Sequence, residues 1–180
     1  MSRTHPPAVL AAAVALPVAL AVGVIAAAVI AKDDSAGDGP VVVGAIPAPE
    51  ATSPECTSLL AALPQTLGDD ERAQLVQPAP AGAAAWQGPE SADPVVLRCG
   101  IDRPAEFDTA AALVEVDGVQ WLQISGAEVG LSSTTWVAVD RAVYVGLTLP
   151  NGTGPTPVQE ISSTVRATLP ATALDPAPVR

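Results

Sequence analysis

Leu113-Val114-Glu115-Val116-Asp117-Gly118-Val119-Gln120-Trp121-Leu122-Gln123-Ile124 decides the fold. Two runs of alternating character flank Asp-Gly, a dipeptide that tolerates positive φ at both central positions of a type I′ turn, so the stretch predicts a two-residue hairpin. Such a turn pairs Val116 with Val119 and Val114 with Trp121, which puts all four on one buried face. The sheet built around it is antiparallel.

On either side the period stays at two. Val95 to Ile101 reads as a strand with Val95, Leu97, Cys99 and Ile101 on one face, and Ala83 to Trp86 as a shorter strand before a Gly/Pro turn. C-terminal to the first hairpin, Thr135 to Val139 and Val143 to Leu149 predict a second. A three-residue loop, Asp140-Arg141-Ala142, pairs Val139 with Val143 and Val137 with Val145 and gathers the β-branched residues; a two-residue loop scatters them. The same register places Trp136 opposite Gly146 on the other face, with Tyr144 beside them.

Helical periodicity brackets these strands. Thr52-Ser53-Pro54-Glu55 carries the signals of a helix start, and Cys56, Leu59, Leu60 and Leu63 then recur on one face until Pro64. Thr156-Pro157-Val158-Gln159 repeats the capping form ahead of Val158, Ile161, Val165 and Leu169, which Pro170 stops. Residues 65 to 82, with Asp69-Asp70-Glu71 beside Arg72, read as a solvated turn or short helix. The tail 171–180 reads as disordered, and residues 32–51, rich in Gly, Pro and Asp, as a flexible linker. In that linker Asp34, Asp38 and Gly39 have the look of a calcium loop, but Ala36 and Ala45 fall where ligands are needed, so no metal site is expected.

Ahead of the linker, Ala8 to Ala31 are 24 residues without a charged side chain. At about 1.5 Å per residue such a helix reaches roughly 36 Å, enough to cross a hydrocarbon core of about 30 Å. Arg3 precedes the run and Asp33, Asp34 and Asp38 follow Lys32, which favours residues 1–7 on the cytoplasmic side and the rest outside. The alternative is signal-peptide cleavage before Lys32, although a signal h-region is usually about 7 to 15 residues. Both readings export the domain.

The expectation is therefore an α+β protein: a mainly antiparallel sheet of about five strands with two helices on one face, spanning residues 52–170 and preceded by one transmembrane helix. Cys56 and Cys99 are the only cysteines. On the exported side they predict a structural disulfide, and the absence of C-x-x-C spacing argues against a redox role. Past Lys32 six basic residues face 19 acidic ones, a formal charge of −13. That balance repels nucleic acid and anionic headgroups.

Inventory limits the chemistry. The single histidine, His5, lies before the apolar run, so an exported Ser-His-Asp, Cys-His or histidine-ligated metal site has no histidine to use. The single lysine, Lys32, lies beside it. Carboxylate pairs among Glu106, Asp108, Glu115, Asp117 and Asp140 remain, and each also fits a solvated turn or strand face. No catalytic residue and no cofactor is assigned.

Arg98 alternates away from Cys99, where it suits either an ion pair with a neighbouring strand or an anionic ligand. Trp136 and Tyr144 fit either a second core layer, under a helix or the 102 to 112 loop, or a recognition surface. Val95, Leu97, Cys99, Val137, Val139, Val143 and Val145 collect on the face that two helices and the disulfide can cover. The opposite face, carrying Arg98, Trp136 and Tyr144, is the candidate binding surface.

The order of Cys-x-x-Leu-x-x-x-Leu-Pro (Cys56 to Pro64), Ala85-Trp86, Val-Val-Leu-Arg-Cys-Gly (Val95 to Gly100), Asp117-Gly118-Val119-x-Trp121 and Asp140-Arg141-x-Val143-Tyr144-Val145 resembles a family of membrane-anchored, exported proteins of unknown function from high-GC Gram-positive bacteria. The resemblance covers roughly residues 53 to 170, implies an envelope location and genomic neighbourhoods that contain a D-alanine–D-alanine ligase, and implies no reaction. The functional expectation is a membrane-tethered, extracytoplasmic binding or scaffolding module, not an enzyme. Its partners are the lipid bilayer through Ala8 to Ala31 and an envelope protein or cell-wall component, with no nucleic acid. A carboxylate-based hydrolase acting on envelope glycan or peptide is the alternative.

Overall fold

The computed structural model describes residues 39–88 and 93–179. Its strands are β1 (Thr66–Leu67), β2 (Asp70–Arg72), β3 (Ala83–Gln87), β4 (Val95–Ile101), β5 (Leu113–Val116), β6 (Val119–Ser125), β7 (Ser133–Ala138) and β8 (Tyr144–Pro150). They form one sheet in the order β1-β2-β3-β4-β8-β7-β6-β5, antiparallel at every pairing. Two meanders, β1 to β4 and β5 to β8, are thus joined along β4 and β8, which leaves β1 and β5 as the edges. The expected count of about five strands is corrected to eight. The additions include β1 and β2, from the acidic stretch read as a turn or short helix; only Leu67 of that hairpin is buried, so no apolar alternation marks it.

Helices α1 (Pro54–Ala62) and α2 (Thr156–Thr168) pack on one face of the sheet. The Ser53 hydroxyl accepts from the Cys56 N–H at 3.2 Å and starts α1. Cys56, Leu59 and Leu63 then meet Val158, Ile161 and Val165 of α2 over Trp86, Leu97, Trp121, Val145 and Leu147. The Trp121 indole donates to Ser162 Oγ at 2.9 Å, and that hydroxyl donates to the Val158 carbonyl, so α2's one fully buried hydroxyl is satisfied. A Cys56–Cys99 disulfide, Cα atoms 5.5 Å apart, ties α1 to β4.

Asp117 and Gly118 adopt φ of 50° and 75°, and Val116 pairs with Val119 and Val114 with Trp121. Burial along this hairpin is uneven. Val119 and Trp121 are enclosed, Val116 is half-buried, and Val114 is 41% exposed because β5 is the sheet edge.

The register of the second hairpin differs by one residue from the sequence expectation. Trp136 lies opposite Leu147, Val137 opposite Gly146 and Ala138 opposite Val145. A one-residue slip exchanges faces. Val137 and Val139 consequently join Phe107 and Leu122 on the second face, while Trp136 turns to the helix face. The reason lies in the connection, where Asp140 and Arg141 fold inward and lengthen the loop. A second slip occurs at Gly100, whose φ of 79° makes a bulge in β4; Ile101 crosses to the face of Tyr144 rather than that of Cys99.

Two straps cover the second face. Val41 and Val43 lie over Ala85 and Val96, with backbone hydrogen bonds linking Val41 to Gln74 and Val76. The loop from β4 to β5 seats Phe107 on Leu122, Val137 and Val139, and the Phe107 carbonyl accepts from Ala177. Residues 41–51 and 171–177, read as linker and disordered tail, therefore take part in the fold: Val41 and Val43 cover the sheet, while the tail is held by backbone hydrogen bonds from Thr172 and Ala177, which composition alone does not reveal. Among the described residues no helix is long and apolar enough to cross a membrane, so the expected transmembrane helix is not among the elements described. The run Ala8 to Ala31 that carried it lies outside the described residues.

Candidate functional site

Trp136 sits in the middle of β7, its ring edge-to-face with Trp121 at 6.5 Å between centroids. Trp86 and Trp121 each donate their indole N–H, to Pro64 O and Ser162 Oγ, whereas that of Trp136 donates to no group among the described residues. Half-buried, it walls a cavity of about 280 Å³ with Val116, Leu149, Pro155, Val158 and Gln159. The cavity lies where the first turn of α2 and the loop before it meet Val116 of β5, Trp136 of β7 and Leu149 of β8. No charged side chain lines it, so its chemistry is apolar contact plus the Trp136 indole, the Thr153 hydroxyl and the Gln159 amide.

Arg98 and Tyr144 stand on the opposite face. Nη2 of Arg98 donates to the Gly44 carbonyl at 3.3 Å, its Nε is buried without a partner, and burial lowers its pKa from the ordinary arginine value. The N-terminal strap thus occupies the space in which an anionic ligand was expected. Tyr144 packs edge-on against Phe107 at 6.3 Å. Burial raises its phenol pKa, Arg103 pulls it back, and Asp175 and Glu50 raise it again. Arg98, Trp136 and Tyr144 are therefore not brought together on one surface. The register slip at β7 separates the tryptophan from the other two.

Four of the five candidate carboxylates are engaged individually. Asp117 pairs with Arg166, Glu115 accepts from Gln120 Nε2 at 2.8 Å, and Asp108 caps its own turn through the Ala110 N–H. Asp140 pairs with Arg141 at 2.7 Å inside the protein. Glu106 is exposed. Among the described residues no cluster of three or more His, Cys, Asp or Glu could hold a metal ion.

Arg141, expected only as part of a loop, also donates from Nη2 to the Gly118 carbonyl at 3.0 Å and so staples the second hairpin's loop to the first hairpin's turn. Its signal was present in the charged pair at the centre of a loop between two β-branched runs. A larger concavity of about 470 Å³ lies where the tail meets the β4–β5 loop, lined by Arg103, Asp108 and Ala177, with Arg103 paired to Asp175.

One antiparallel sheet with two helices on one face and a disulfide from the first helix to the fourth strand defines the class: an α+β domain. Residues 14–174 match the family described as "Protein of unknown function (DUF3515)", and the chain belongs to that family. No curated protein and no solved structure matches it.

Proposed function

We propose that this protein is a non-catalytic binding module of the bacterial cell envelope, held at the membrane by its apolar run Ala8 to Ala31 and displaying residues 41–177 outside the cytoplasm. The single observation that carries the binding half is the Trp136 cavity, an uncharged hollow walled by a half-buried indole and open beside the sheet edge. The Cys56–Cys99 disulfide supports the location, since such bridges persist in oxidising compartments.

The test is photo-crosslinking in intact cells. A photoreactive phenylalanine analogue at Thr153, an exposed residue on the cavity rim, is expected to trap an envelope component in the membrane fraction, while the same analogue at Thr57 on α1 is not. Identical adducts from both positions, or none at Thr153, overturn the reading.

A further inference from the structure

The Trp136 cavity adjoins a free sheet edge. β5 closes the strand order on one side, and Val116 belongs both to that edge and to the cavity wall. In a two-residue hairpin the residues flanking the turn exchange the first ladder bonds, so Val116 and Val119, then Val114 and Trp121, are the bonded pairs. The N–H and C=O groups of Leu113 and Glu115 must then point away from β6. No backbone hydrogen bond from the other described residues reaches them. Sheets normally blunt such an edge by shortness, proline, a bulge or a cover, as the two-residue β1 does on the other side. Here β5 is four residues long, without proline and with Val114 exposed.

The chemistry on the two sides of β5 differs. Toward the helices lie Val114, Val116 and the cavity; its 280 Å³ is below the roughly 300–1,000 Å³ of small-molecule sites and suits one side chain. Toward the other face lies the exposed Glu115. A strand added to β5 alternates its side chains between these two environments.

Resting on the binding-module reading above, we infer that β5 is a docking edge for an extended, basic segment of a partner protein, which adds a ninth strand, seats one apolar side chain in the Trp136 cavity and sets basic side chains beside Glu115. The charge fits: residues 33–180 carry a formal −13, and no basic residue lines the cavity.

The test uses the full chain in detergent micelles and an acetylated, amidated heptapeptide of alternating lysine and valine. Hydrogen exchange is expected to slow at the Leu113 and Glu115 amides when the peptide is added. Two further peptides are N-methylated on the valines or on the lysines. Because an added strand uses only one of its edges, one of the two is expected to lose binding by about tenfold or more while the other keeps it. Glu115→Lys is expected to weaken the unmodified peptide, with the fold intact by circular dichroism. Equal binding of both methylated peptides, binding without protection of β5, or protection that grows with protein concentration alone, which marks a second copy on this edge, overturns the inference. Crosslinking at Thr153 in cells remains a separate readout: an adduct there without β5 protection leaves the binding module standing and removes only the strand addition.

Discussion

Arg141 and Asp140 are adjacent in sequence and close on each other in the interior, Nη1 to Oδ2 at 2.7 Å, with 1% and 9% of their side chains accessible. The same guanidinium donates to the carbonyls of Asp140 and Gly118, and the Asp140 carbonyl accepts from Thr172. One charged pair thus joins the β7–β8 loop, the β5–β6 turn and the segment after α2. Removing one partner leaves the other buried and unpaired. Arg141→Met is expected to destabilise by about 3 kcal/mol or more, and Asp140→Asn by less because an amide oxygen still accepts. Urea unfolding checks the order; equal midpoints for Arg141→Met and the parent protein refute it.

A second prediction concerns Gly100. Its φ of 79° favours glycine, its carbonyl accepts from the Glu50 N–H, and an added Cβ would overlap the backbone of Glu50 and Ala51. Gly100→Ala is expected to cost about 2 to 4 kcal/mol and to loosen the N-terminal strap first. Faster hydrogen exchange at Val41 and Glu50 than at β8 in the variant is the checking measurement.

The disulfide gives a third. Cys56 and Cys99 enclose 43 residues of sequence separation, for which chain entropy gives roughly 4 kcal/mol as an upper figure. Both half-cystines lie in the helix-face core. The paired Cys56→Ala, Cys99→Ala variant is expected to lower stability by a few kcal/mol while keeping the sheet, read by calorimetry and far-ultraviolet dichroism. Unchanged melting of the double variant contradicts this.

How much of this was legible differs between the two hairpins. The first is local: Asp117 and Gly118 accept the turn on their own, so the pairing of Val116 with Val119 can be read from four residues. The second is not, because its loop length depends on where Arg141 finds acceptors, and Gly118 lies 23 residues away. Pattern favoured collecting Val137, Val139, Val143 and Val145 on one face. The structure divides them because both faces are covered, one by helices and one by straps, so β-branched residues are useful on either. The same division broke up the expected surface of Arg98, Trp136 and Tyr144. The cavity beside Trp136 depends on where α2 starts relative to β5, a tertiary relation that no local pattern encodes.

The last prediction exploits the protein's single tyrosine. Tyr144 is half-buried beneath the β4–β5 loop, and burial is the largest influence on it, disfavouring the phenolate; Arg103 offsets part of this, while Asp175 and Glu50 add to it. Its folded-state pKa is therefore above the ordinary 10.0. A group raised in this way holds its proton longer in the folded state, so the folded form is favoured fully below the unfolded pKa and loses that advantage as pH rises through the folded one. Stability should accordingly fall on the alkaline side of about 10, and Tyr144→Phe should remove that part of the fall. Because no other tyrosine contributes, phenolate absorbance reports this residue alone. Its midpoint is expected above 10.0 in the parent protein and lower in Asp175→Asn, where the tail no longer presents a negative charge to the ring. A parent midpoint at or below the ordinary value would show that the tail and Phe107 do not cover Tyr144 in solution.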